Sequence, residues 1–170
     1  WTPGQLLDAL VPLGGDPAHG AAALLGGLCA TIATSQPQEV ELHQRILPFL
    51  VHDDWHYVIA LPDAQMGTAE TKRVLPPTLP HAAAARTTGR TLGVLHALQH
   101  GDEDLLRHCL IDEVHLPYRR RLLPGLSEAL DAAVAAGAAG ATICGHGPGL
   151  IAFTLTAGRT AEIARAMVTA

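Results

Sequence analysis

The chain has 170 residues, of which 48% are hydrophobic, enough for one substantial core or two small ones sharing an interface. Its net charge of -5, with 11 Lys and Arg, excludes the broad basic footprint needed for nucleic acid or an anionic membrane, although a small anionic ligand requires only a local cluster. The longest apolar runs fall far short of the roughly 20 residues that span a bilayer, no secretory leader is expected before Trp1, and the odd set Cys29, Cys109 and Cys144, without a CxxC pair, fits reduced thiols in a cytoplasm.

Thr2-Pro3 reads as an N-cap followed by proline at the first helical position, and Leu6, Leu7, Leu10 and Val11 continue as an amphipathic helix that ends at Gly14-Gly15. A short helix from about Pro17 to Leu25 leads through Gly26-Gly27 into a strand over 28–34. Val40, Leu42, Gln44 and Ile46 alternate as its pairing strand across a Ser35-Gln36-Pro37 turn. His52-Asp53-Asp54-Trp55 is a loop, Tyr57 to Leu61 reads as a buried strand, and Pro62-Asp63 stops it. Helices are predicted over 68–74, 82–99, 102–113 and 124–136. From Gly137 the pattern becomes a hairpin, with a strand, a glycine-rich bend at Gly145 to Gly149 and a second strand through Leu155. A last amphipathic helix over 160–168 carries Ile163, Ala164 and Met167 on its apolar side. The pieces make an α+β fold with an open sheet covered by helices. That sheet looks one strand short, and both ends of the chain read as cut.

The segment Asp112 to Gly125 concentrates acid, imidazole, phenol and three consecutive arginines beside two prolines. Arg119, Arg120 and Arg121 cannot all enter one apolar face, and a guanidinium matches carboxylate or phosphate oxygens, so an anionic ligand is proposed there. The competing reading is a solvated helix start, with Pro117 near the first helical position and the arginines in water. The cluster His52-Asp53-Asp54-Trp55-His56 has metal-ligating residue types, but polar residues are expected in a loop before a strand, and no metal site is assigned. His19, at a helix start, is a candidate general base or else a partly exposed cap residue. His115 reads as a residue that orients the Arg119 turn.

Four segments, taken in order, resemble homoserine kinase of the GHMP small-molecule kinases: GDPAHGAAALLGGL at 15–28, ALPDAQMGTAETKRVLP at 60–76, LIDEVHLPYRRRLLPG at 110–125 and GAAGATICGHGPG at 137–149. The third, with His-x-Pro-Tyr-Arg followed by Leu-x-Pro-Gly, is the most specific. The resemblance implies a GHMP-kinase C-terminal lobe over 55–170, with a ferredoxin-like open sheet, and the tail of the N-terminal lobe over 1–54. It implies transfer of the ATP γ-phosphoryl to the hydroxyl of L-homoserine with Mg²⁺, in threonine biosynthesis, in the cytoplasm, with a small amino-alcohol substrate and a homodimer left open. Its substrate-binding positions fall on Thr68, Lys72, Arg119, Gly145 and Gly147, and its catalytic positions on Asp16 and His19; the nucleotide-binding residues are not assigned. Phosphoryl transfer of this kind rests on positioning and charge neutralisation.

Several positions depart from the family pattern. The expected His and Asn are Asp16 and His19, the magnesium-binding glutamate is Gly14, and a family arginine is Lys72, with Arg73 one place along and about 100° away on a helix. The Ser and Thr of the last loop are Cys144 and Gly149, with His146 for an alanine. An Asn and a Ser of the long helix are Thr87 and Gly89. The 170 residues hold no Pro-x-x-x-Gly-Leu-Gly-Ser-Ser-Ala phosphate loop, which is expected upstream of Trp1. The alternatives are a non-catalytic relative that binds an amino acid or a protein partner, and a small-molecule kinase of altered substrate.

Overall fold

In the computed structural model, which describes residues 1–34, 43–64 and 67–170, the chain divides into two units, Trp1–Val51 and His52–Ala170. In the first unit, Thr2 caps helix α1 (Pro3–Leu10) through a reciprocal pair: its hydroxyl accepts from Gln5 N at 3.3 Å and its N–H donates to Gln5 Oε1 at 2.8 Å. Asp16 caps α2 (Pro17–Leu25), its Oδ1 accepting from Ala18 N and His19 N. Leu7 and Ala21 are the buried contacts of these helices. Strands β1 (Leu28–Thr34) and β2 (His43–Phe49) pair antiparallel from Leu28↔Phe49 to Thr34↔His43. Gln44 and Ile46 lie in β2, which runs on to Phe49; Val40, Leu42 and the turn at 35–37 lie outside the described residues. Asp8 of α1 ties the sheet to the helices, accepting from Gln44 N at 2.6 Å and lying 3.2 Å from His43 Nδ1. The Gln44 backbone donor holds the Asp8 carboxyl below its ordinary range.

The second unit is built on an antiparallel sheet in which β5 (Leu150–Thr154) lies between β3 (His56–Ala60) and β4 (Gly140–Ile143). Between β3 and β4 the chain forms α3 (Thr68–Arg73), α4 (His81–His100), α5 (Glu103–Cys109), α6 (Leu116–Arg119) and α7 (Leu126–Ala135); after β5 comes a 3-10 turn, absent from the sequence reading, and α8 (Thr160–Thr169). Helices α7 and α8 share a core with one face of the sheet: Leu126, Leu130 and Ala133 of α7, Ile163 and Met167 of α8, and Val58, Leu150 and Ala152 of the strands. Removing side chains of this size from water contributes about 1.5–3 kcal/mol each.

Two expectations need correcting here. The strand after Trp55 is not buried on both faces: Val58 is inside, but Tyr57 and Ile59 on the opposite face are 48% and 59% exposed, because α7 and α8 cover only one side. The helix expected over 102–113 stops at Cys109, where Asp112 draws the following backbone N–H groups into a turn. The His52–Trp55 loop is anchored on α4, since His52 N and Trp55 Nε1 both donate to Leu98 O at 3.0 Å, and the Trp55 ring stands edge-on to Phe153.

Candidate functional site

Asp112 organises the most chemically loaded turn of the second unit. Its Oδ1 accepts from Val114 N and His115 N, each at 2.8 Å, and its Oδ2 from Leu116 N at 3.0 Å. This arrangement satisfies the donors at the start of α6, where Pro117 sits in the first turn and lacks a donor of its own. Burial opposes ionisation of Asp112, but the His115 side chain, 3.5 Å away, and the backbone donors outweigh it and hold the carboxyl at about 2. His115 contributes twice more, since its carbonyl accepts from Tyr118 N and Arg119 N.

The turn delivers one arginine of three to the interior. Arg119 is 5% exposed, whereas Arg120 and Arg121 are exposed, so the solvated reading fails for Arg119 alone. Its Nη1 donates to Gly145 O at 3.1 Å, while its Nε is buried with no acceptor among the described residues. Burial lowers the guanidinium's proton affinity and the Asp112 charge opposes that shift. The unused N–H leaves a buried donor whose isolation costs about 1–3 kcal/mol and which an anion's oxygen would satisfy.

The glycine-rich bend supplies the opposing surface. Gly145 and Gly147 take φ of +57° and +88°, conformations in which a Cβ is strained, and the bend is closed by Cys144 N donating to Gly149 O and Gly147 N to Cys144 O. That geometry turns the Gly145 carbonyl onto Arg119. Glu113, next to Asp112, is clamped by α4: it accepts from Arg86 Nε at 3.1 Å, Arg86 Nη2 at 2.6 Å and from Arg90 Nη1. The two guanidiniums, Arg86 first, hold its carboxyl at about 2. Sequence reading passed over this clamp, although arginines four apart on one helix and an acid beside the turn were both visible.

Thus Arg119 and Gly145 are in direct contact, with Gly147 in the same bend. Thr68 is the first residue of α3, and Lys72 is exposed in its last turn beside exposed Arg73; neither Lys72 nor Arg73 bonds to Arg119 among the described residues. In the first unit Asp16 is the N-cap of α2 and His19, exposed, its third residue. At the positions where the family pattern expects magnesium chemistry, Gly14 has no side chain and Asp16 Oδ1 accepts from two backbone donors. The described residues likewise provide no glycine-serine cradle for a nucleotide.

Residues 94–170 match the family described as GHMP kinases C terminal. A homoserine kinase of Prochlorococcus marinus subsp. pastoris is 34% identical over 166 residues, 98% of this chain and 51% of that protein. The chain belongs to the GHMP kinase superfamily. A second Prochlorococcus marinus homoserine kinase, from strain NATL1A, is 35% identical over 171 residues and again 98% of this GHMP kinase chain is covered. The chain spans about half the length of the curated relatives it matches. The crystal structure of homoserine kinase from Cytophaga hutchinsonii superposes with a TM-score of 0.81 at 25% identity, covering 92% of this chain and 48% of that one. An L. major mevalonate kinase in complex with R-mevalonate, at 18% identity and TM-score 0.72 over 99% of this chain and 55% of that one, shares the GHMP kinase fold.

Proposed function

We propose that this GHMP kinase chain works as the C-terminal part of an ATP-dependent kinase that phosphorylates the hydroxyl of L-homoserine, in threonine biosynthesis in the cytoplasm, with the phosphate loop supplied by residues N-terminal to Trp1. The observation that carries the reading is buried Arg119, held by the His-x-Pro-Tyr-Arg turn, bonded to Gly145 O and keeping Nε unused. In this role Arg119 grips the substrate carboxylate. The Gly145–Gly149 bend lets backbone approach the substrate, with Thr68 and Lys72 as further substrate positions, and the resemblance puts the catalytic roles on Asp16 and His19. Bound ATP supplies the phosphoryl group, and Mg²⁺ neutralises its charge.

The test is homoserine-dependent ADP release by the natural full-length protein. Arg119→Ala is expected to raise KM for homoserine about 10- to 100-fold, the loss of a charged hydrogen-bonding partner, with KM for ATP nearly unchanged. No homoserine-dependent turnover, or an unaltered KM in the variant, overturns the reading in favour of a non-catalytic relative. Lys72 supports a second reading. A point charge replaces a planar fork there, relaxing carboxylate recognition, so an amino alcohol without a carboxylate would be phosphorylated with a kcat/KM close to that of homoserine.

A further inference from the structure

A cavity of about 280 Å³ lies between α4 and the segment leading into the Asp112 turn. At roughly 30 Å³ per liquid water it admits a molecule of about eight heavy atoms. Val94, Leu110 and Val114 give it apolar walls, and Thr87, Arg90 and Asp112 bring polar groups to it. Arg119 is not part of its lining, which shares Asp112 and His115 with the turn described above.

Asp112, the one acid in the lining, already accepts three backbone N–H groups and faces His115. The donors are in surplus. Thr88 and Thr91 return their hydroxyls to Ala84 O and Thr87 O, the usual resting place of a threonine within a helix, but Thr87 Oγ1 is buried with no partner. Arg90 gives Nη1 to Glu113 and has no protein acceptor for Nε or Nη2 among the described residues. A donor-rich pocket with aliphatic walls is complemented by an acceptor with an aliphatic body. An alcohol or an amide would satisfy Thr87 alone, whereas a carboxylate also answers the guanidinium.

We propose that this cavity binds a short aliphatic carboxylate, its oxygens meeting the Thr87 hydroxyl and the Arg90 guanidinium and its chain lying against Val94, Leu110 and Val114. The claim does not depend on the kinase reading. It is tested by titrating the ¹⁵N-labelled protein with 4-methylpentanoate, using 4-methylpentanamide as the neutral counterpart. Saturable amide shifts are expected at Thr87, Thr91, Val114 and Thr142, with the carboxylate binding about 10-fold tighter than the amide. Thr87→Val, nearly isosteric but without the hydroxyl, weakens binding about 5-fold. Val94→Trp fills the space and abolishes it; if that variant does not give a folded spectrum, Thr87→Val decides. The proposal is overturned by shifts confined to Arg119 and Gly145, by equal affinity for acid and amide, by an unaffected Thr87→Val, or by no saturation at about 50 mM.

Discussion

A guanidinium is expensive to take out of water, and Arg119 is retained inside because its surroundings hold it from two directions: the Gly145 carbonyl on Nη1 and the Asp112 carboxylate nearby. Asp112 is therefore the residue whose charge matters most for the turn. Its folded carboxyl, at about 2, lies below the ordinary 3.8. A depressed folded value means that the ionised form stabilises the native state above the unfolded pKa, and that this contribution is lost as pH falls from about 4 to about 2. Asp112→Asn removes both the charge and the acceptor facing Leu116 N, and is expected to cost about 1–2 kcal/mol at neutral pH. Denaturant titrations across that window should also show a shallower acid loss in the variant than in the parent. Equal slopes would mean that another group carries the acid sensitivity.

At the scale of elements, the second unit is joined by side chains that cap backbone elsewhere. Asp102 opens α5 by accepting from Leu105 N at 2.9 Å. Glu103, the first residue of that helix, reaches the end of β5, where its Oε1 accepts from Leu155 N at 2.6 Å and lies 3.4 Å from Thr154 Oγ1. The carboxylate thus satisfies a strand-end donor that has left the ladder. Glu103→Ala should destabilise the protein by about 1–2 kcal/mol, with faster hydrogen exchange at Leu155, while Glu103→Gln, which retains an acceptor, recovers most of the loss. Exchange unchanged at Leu155 in the alanine variant would show that water replaces the carboxylate without cost. The Glu113 clamp does a comparable job for the candidate site, fastening the segment that carries Asp112 to α4 through Arg86 and Arg90.

Across the whole molecule, the sheet of the second unit is unequal in its two faces and in its strands. The face carrying Val58 and Ala152 is sealed by α7 and α8, whereas Tyr57 and Ile59 remain open. Ile163→Ala, at a site with no exposure, should cost about 3–4 kcal/mol, and Ile59→Thr less than about 1 kcal/mol, measured by denaturant unfolding. Comparable losses at the two positions would show that the exposed face is covered in solution. The central strand β5, bonded on both sides, is expected to exchange its amides more slowly than β3 and β4.

Most helices and strands were legible in the residues themselves, because caps, helix-period apolar spacing and turn glycines act over a few neighbours: Thr2 and Asp16 cap where their type predicts, and the hairpin around Gly145–Gly149 forms where its glycines permit. The chemistry of Asp112 to Gly125 and its likeness to homoserine kinases were equally plain from sequence. Tertiary structure decided the rest. Which of three adjacent arginines is buried and which side of β3 is covered depend on partners distant in sequence, such as Gly145 for Arg119, and Ile163 and Met167 for the sheet. Local propensity cannot encode those choices, because burial is settled only when separated segments pack and each polar group must either find a partner or stay in water.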